Sequence, residues 1–302
     1  MIRRVIGATK RVLGLRPPGR ALTVFPDDTF LVSYPKSGNT WARFLIANLV
    51  WPDRGVDFAN LNWVIPVPDV TPRRDLLRIP QPRIVKSHEY FDPRYPRIIY
   101  IVRDPRDVVL SQYHAHRKKR SIDDQYPIEE FVRRFLAGET CDYCAWGEHV
   151  ASWLSTRNGQ PRFLLLRYED MLQDTSRELS RVATFLGINP TEQQIQRAIS
   201  RSSADKMRKL ERAQAQLFNA TKGTRQDILF VRAAKAGGWH SALPENCSLQ
   251  IEEAWGHLMR YLGYELSATG KAKVAEAAFS TKLIRVPYPL TQVSDGIAFT
   301  RE

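Results

Sequence analysis

The chain has 302 residues, 43% hydrophobic and 25% charged, an ordinary balance that excludes a wholly disordered, collagen-like or disulfide-scaffold protein. Its 45 lysines and arginines against 32 acids leave a net charge of +13, which points to an anionic partner: nucleic acid, a membrane surface or a polyanionic cofactor or substrate. Three cysteines cannot build a fully paired disulfide framework, so a reducing, cytoplasmic setting is the simpler expectation. No apolar run approaches the roughly 18 residues of a spanning helix, and no stretch of signal-peptide type is visible near the N-terminus.

Residues 1–26 carry six basic side chains and no acid. Ile2, Val5, Ile6, Thr9, Val12 and Leu13 fall at helical spacing, with Arg3, Arg4, Lys10 and Arg11 elsewhere on the wheel. The pattern suits a short amphipathic helix that touches a membrane through residues 1–20, or an arm that frays or docks on its own domain. Arg16-Pro17-Pro18-Gly19-Arg20 then breaks any helix. Thr29–Tyr34 reads as an apolar strand and Thr40–Val50 as a helix. Arg83–Lys86 and Arg97–Val102 read as strands, Asp107–His116 as a helix and Arg162–Arg167 as a strand. Thr175–Leu186 and Gln250–Leu262 are amphipathic helices, stopped by Gly187 and Gly263. Short buried strands between helices imply an α/β fold: a central parallel sheet with helices on both faces. The expected division is a basic arm over 1–26, one domain over 27–266 and an unassigned extension over 267–302.

The segment Tyr34-Pro35-Lys36-Ser37-Gly38-Asn39-Thr40-Trp41 sits between a strand and a helix. In such a turn, successive backbone N–H groups and the helix N-terminus form an anion site. Gly38 lets the backbone approach the anion. Ser37, Asn39 and Thr40 offer side-chain donors, Lys36 a positive charge and Trp41 a stacking face for a base. A well-capped turn, with Asn39 or Thr40 as the cap, explains the same residues without a ligand. The segment is not a Walker A loop, because the lysine precedes the only glycine.

YPKSGNTW resembles the 5'-phosphosulfate loop of the soluble sulfotransferases, YPKSGTTW, with Asn39 as the one departure. Further motifs extend the resemblance. Arg103-Asp104-Pro105-Arg106-Asp107, followed by Ser111 and Tyr113, is similar to the family's 3'-phosphate segment; by itself Arg103 offers a bidentate fork or a partner for Asp107. Lys86-Ser87-His88 resembles K-[TS]-H, whose histidine is the general base; an ordinary histidine pKa near 6.5 suits that role. Phe230–Trp239 matches the pattern R-K-G-x-x-G-D-W at Arg232, Gly237 and Trp239 but departs at Ala233, Ala234 and Gly238. Tyr168 lies in a YEDM segment near adenine in the family. Ser202-Ser203-Ala204 stands where the family has Thr-Ser-Phe, so adenine loses one aromatic face.

The resemblance spans about Tyr34 to Tyr264. It implies a fold related to nucleotide kinases and in-line transfer of a sulfuryl group from 3'-phosphoadenosine 5'-phosphosulfate (PAPS) to a hydroxyl or amine. His88 would be the base, Lys36 and Lys86 would stabilise charge, and Ser111 would hold Lys36 away until the donor binds. No metal is required. The acceptor is a small molecule, a lipid or a glycan, with its pocket expected from segments 52–80, 89–95, 120–150 and 205–230. A P-loop kinase and a non-enzymatic nucleotide-binding or membrane-surface protein are the competing readings. Cys141-Asp142-Tyr143-Cys144 lacks the further ligands of a zinc site. His116–Arg120 reads as a solvated basic helix end, and no nucleic-acid module is present.

Overall fold

The computed structural model describes residues 17–267 together with 270 and 271. Strands β1 (Thr29–Ser33), β2 (Ile84–Ser87), β3 (Arg97–Val102) and β4 (Phe163–Arg167) form one sheet in the order β2-β1-β3-β4. Every neighbouring pair is parallel. Between β1 and β2 lie α1 (Asn39–Val50), α2 (Leu61–Val64) and α3 (Arg73–Arg78). Between β3 and β4 lie α4 (Pro105–Lys119), α5 (Ile128–Leu136) and α6 (Trp146–Arg157). After β4 come α7 (Tyr168–Gln173), α8 (Thr175–Leu186), α9 (Glu192–Arg201), α10 (Ala204–Gln214), α11 (Trp239–Ala242) and α12 (Glu245–Tyr261).

Both faces of the sheet are covered. Phe30 and Val32 of β1, with Ile98, Tyr100 and Val102 of β3, face a core shared with α4, α5, α6 and α12. Leu31, Ile99 and Ile101 face a second core shared with α1, α8 and α9. This is why the strands read as continuous apolar runs rather than alternating ones. β2 spans Ile84–Ser87, one residue later than the sequence suggested, and the fully buried Arg83 guanidinium just before it pairs with Asp28 at 2.6 Å. α8 ends where expected, at Gly187 with φ +74°.

From residue 17 onward the N-terminal segment is packed, not free: Leu22 joins the first core and Gly19 N–H donates to Pro68 O at 3.1 Å. The amphipathic pattern of residues 2–13 and the extension beyond residue 271 lie outside the described residues.

α4 leaves β3 through Asp104, whose side chain accepts from Arg106 N–H and caps the helix. The buried Arg106 guanidinium grips Asp104 at 2.7 Å, Glu252 of α12 at 2.6 Å and Glu265 O at 2.8 Å. It also lies 3.7 Å from the centroid of the Trp239 ring. One side chain thus joins the start of α4 to α11 and α12. Arg106→Met would leave two carboxylates buried without their cation, at a cost of about 3–5 kcal/mol. Urea unfolding should show that loss; a stability unchanged within about 0.5 kcal/mol would exclude a structural role for this network.

Candidate active site

The parallel register carries the four strands to a common C-terminal edge, the usual place for a ligand in an open α/β sheet. Each strand delivers a candidate residue there. β1 leads into the 34–41 loop, β2 into His88, β3 into Arg103 and β4 into Tyr168.

The loop after β1 makes a tight approach possible. Lys36 and Gly38 have φ +73° and +95°. A Cβ on Gly38 would stand 2.4 Å from the Tyr168 ring, so glycine is required by both backbone and space. Ser37 is fully buried and its Oγ has no hydrogen-bond partner among the described residues. Gly38 is the N-cap of α1 and no side chain caps the helix. The first-turn N–H groups of Asn39 and Thr40 are therefore oriented as in an anion site.

His88 is locked from behind. Its Nδ1 lies 2.6 Å from Ser33 O. A carbonyl only accepts, so Nδ1 carries the proton and Nε2 keeps a lone pair. The buried His149 donates from Nε2 to His88 O at 2.9 Å and accepts at Nδ1 from Tyr100 OH at 2.9 Å. The Tyr143 ring meets His88 edge-on at 5.6 Å. Burial, then the Lys86 charge, push the His88 pKa well below the ordinary value, so the ring is neutral. Burial, then Lys119, Arg103 and Arg232, lower Lys36 to about 7, with Glu211 opposing. Burial and Arg43 lower Lys86 to about 7, against the pull of Asp69 and Glu89.

On the far side, Arg103 donates to Lys36 O and Lys235 O, both at 3.2 Å, and lies 3.7 Å from Asp107. Its guanidinium stacks 4.3 Å from the centroid of Tyr168, which Trp41 meets edge-on at 5.8 Å. Arg103 Nε is buried without a hydrogen-bond partner among the described residues. Asp107 accepts from Gly237 N–H and Trp239 N–H at 2.8 and 3.0 Å. That docking secures the 232–239 segment despite its departures from the family pattern, and Arg232 stays exposed.

Four sequence expectations need correction. The Asn39 side chain turns into the sheet, where Nδ2 donates to Leu31 O at 3.3 Å and Ser33 Oγ at 3.2 Å; only its backbone N–H remains for an anion. Ser202 is fully buried and its Oγ accepts from Asn48 Nδ2 at 3.2 Å, tying α9 to α1 instead of meeting a base. Ser111, half-buried on α4, makes no hydrogen bond to Lys36 among the described residues. Lys36 Nζ instead lies 4.4 Å from the centroid of the Phe230 ring. Lys118, in the run read as solvated, is buried and paired. Phe230 and Ser33 escaped the sequence reading as working parts; Phe230 stands beside Arg232 in a quoted motif, the one signal available.

These features fit a 3',5'-bisphosphate nucleotide. Ser37 Oγ and Arg103 Nε, both without a hydrogen-bond partner among the described residues, supply donors, the glycine-walled loop supplies close backbone approach, and the paired aromatics Trp41 and Tyr168 supply apolar surface for a base. Among the described residues no group of three or more His, Cys, Asp or Glu is arranged to hold a metal ion.

The sequence profile described as "Sulfotransferase domain" matches residues 26–263. Sulfotransferase 1A1 of Bos taurus is 27% identical over 241 residues, covering 74% of this chain and 80% of the relative. The 3-beta-hydroxysteroid sulfotransferase of Cavia porcellus is 28% identical over 229 residues, covering 70% and 77%. Among solved structures, mouse sulfotransferase SULT7A1 complexed with PAP, the desulfated product of the donor, superposes with a TM-score of 0.65 at 26% identity, over 88% of this chain and 94% of that one. Retinol dehydratase in complex with retinol and PAP has the same fold, with a TM-score of 0.64 at 23% identity over 83% and 85%. With the phosphate loop, the Arg103 side and the profile in agreement over the whole described core, the chain belongs to the sulfotransferase family and is an enzyme that moves a sulfuryl group from PAPS to an acceptor.

Proposed function

We propose that His88 is the general base and that Lys36 and Lys86 neutralise charge at the transferring group. The observation that carries this reading is the bond from His88 Nδ1–H to Ser33 O at 2.6 Å. It fixes the tautomer and leaves Nε2 as the proton acceptor. Bound PAPS supplies an electrophilic sulfur and a nucleotide leaving group. Lys36, from the 5' loop, stands at the leaving-group side. Lys86 lies on β2, two residues before His88, at the acceptor side. Transfer of this kind depends on alignment and on charge stabilisation more than on covalent help. The negative charge of the donor raises the pKa of all three groups, keeping the lysines cationic and making His88 a stronger base.

Ser37, Gly38 and the Asn39 and Thr40 amides hold the 5' end, and Arg103 and Arg232 hold the 3'-phosphate. Trp41 and Tyr168 border the adenine, and Ser111 of α4 offers a hydroxyl to the 3'-phosphate. The acceptor presents a hydroxyl or amine to His88 Nε2, as the hydroxysteroid in the name of the guinea-pig relative illustrates for an alcohol. His88→Ala should lower turnover roughly a hundred- to ten-thousand-fold while PAP affinity changes by less than about threefold. Steady-state rates and calorimetry check this; near-wild-type turnover with a competent acceptor would assign the base elsewhere.

A lipid-borne acceptor is a second reading, favoured by where the N-terminal segment leaves the domain. Arg20 pairs with Glu89 at 2.8 Å, next to His88, and Arg94 donates to Arg20 O at 3.0 Å. The described chain therefore begins three residues from a contact on the acceptor side. Among the described residues no helix is long and apolar enough to cross a membrane, so contact would come from the basic residues, each worth about 1 kcal/mol near an anionic surface. Full-length protein should co-sediment with vesicles containing phosphatidylserine, and a chain lacking residues 1–16 should not. Equal sedimentation of the two would leave a soluble metabolite as the acceptor.

A further inference from the structure

The segment 225–232 carries Phe230 and Arg232 but has no regular secondary structure. Its backbone is held by side chains from two helices. Lys118, near the end of α4, donates from Nζ to Arg225 O at 2.7 Å and Ile228 O at 2.6 Å. Arg225 N–H returns a bond to Lys118 O at 3.0 Å. Glu211 of α10 accepts from Phe230 N–H at 2.6 Å and Val231 N–H at 3.0 Å. Lys118 Nζ and Glu211 Oε1 lie 3.3 Å apart, with the two side chains 3% and 2% exposed. Arg208, one turn earlier on α10, donates to Val231 O at 3.1 Å and Arg232 O at 2.9 Å.

A buried ion pair contributes little net stability, because desolvation offsets its attraction. Here both charges are spent on the backbone of one irregular segment. We propose that Lys118 and Glu211 are positioning residues for the donor, a buried clamp that sets the 228–232 backbone so that Phe230 covers Lys36 and Arg232 reaches the 3'-phosphate side. The clamp rests on the reading of Lys36 and Arg232 as donor-binding groups. α4 gives it a second connection, since the same helix follows closely on Arg103, carries Asp107 in its first turn and Lys118 in its last. The Glu211 charge also acts on Lys36: it opposes the lowering of the Lys36 pKa by burial, Lys119, Arg103 and Arg232.

Glu211→Gln and Lys118→Met test the clamp, with Arg232→Ala as the control for the donor site. Each clamp variant should raise the KM for PAPS and the Kd for PAP at least about tenfold, with kcat within about threefold. In Glu211→Gln, removal of the carboxylate charge lowers the Lys36 pKa further, so the alkaline fall in kcat/KM for PAPS should move to lower pH. If Arg232→Ala binds PAP as the wild type does, the donor-site reading fails and takes the clamp with it. If Arg232→Ala binds weakly while both folded clamp variants bind normally, the clamp alone is overturned. Hydrogen exchange on the unaltered, donor-free enzyme covers the case in which the variants do not fold. The Phe230 and Val231 amides should exchange at least about tenfold more slowly than those of Ala233–Ala236; equal rates would also overturn the clamp.

Discussion

Positive charge held out of water is the constraint around which this molecule is arranged. Lys36, Lys86 and Arg103 converge on the C-terminal edge of the sheet. Burial, with cationic neighbours, depresses both lysines to about 7. Carboxylates nearby are already engaged: Asp107 holds the Gly237 and Trp239 amides, and Glu211 is paired with Lys118. The site is thus short of negative charge by design of its surroundings, and a nucleotide with two separated phosphate groups supplies what is missing. Burial, and after it the Lys86 charge, keeps His88 neutral, because both disfavour a further positive charge.

The sheet makes such a concentration tolerable. Two cores clamp the strands from both faces, so the loops at their ends are fixed by rigid elements. Backbone groups then act as orienting partners. Ser33 O sets the His88 tautomer, and His149 with Tyr100 fixes the carbonyl behind it. Arg103 binds the carbonyls of Lys36 and Lys235, so the 5' loop and the 232–239 segment are referred to one guanidinium. Gly38 permits Tyr168 to pack directly on the loop. Precision at the reacting atoms follows from these contacts rather than from the charges, which have no directional preference of their own.

What could be read from the sequence follows the same physics. The strands were legible because burial on both faces leaves uninterrupted apolar runs such as Arg97–Val102. The 34–41 loop and the Arg103 segment were legible because their function needs particular residues at fixed spacing. Short helices such as Leu61–Val64 and Tyr168–Gln173 carry too few turns to show a period. Lys118 was hidden inside a basic run, since only three-dimensional packing distinguishes a buried lysine from its half-buried and exposed basic neighbours. Asn39 and Ser202 occupy motif positions, yet their side chains serve the interior; position in a motif specifies the backbone more tightly than it specifies a rotamer. The Ser33 carbonyl that orients His88 leaves no trace in sequence, because every residue has one.

The central claim is that the half-buried Lys36, only partly protonated near neutral pH with a pKa of about 7, becomes fully cationic when the nucleotide arrives. Calorimetry of PAP binding between pH 7 and 9, in two buffers of different ionisation enthalpy, reads affinity and proton uptake together. A lysine with a pKa of about 7 is increasingly deprotonated across that range. Binding must then draw a proton from solution, and affinity should fall at least about tenfold by pH 9 with uptake approaching one proton. Constant affinity across the range, with no proton taken up, would show that Lys36 is already fully charged in the free enzyme and would contradict the account.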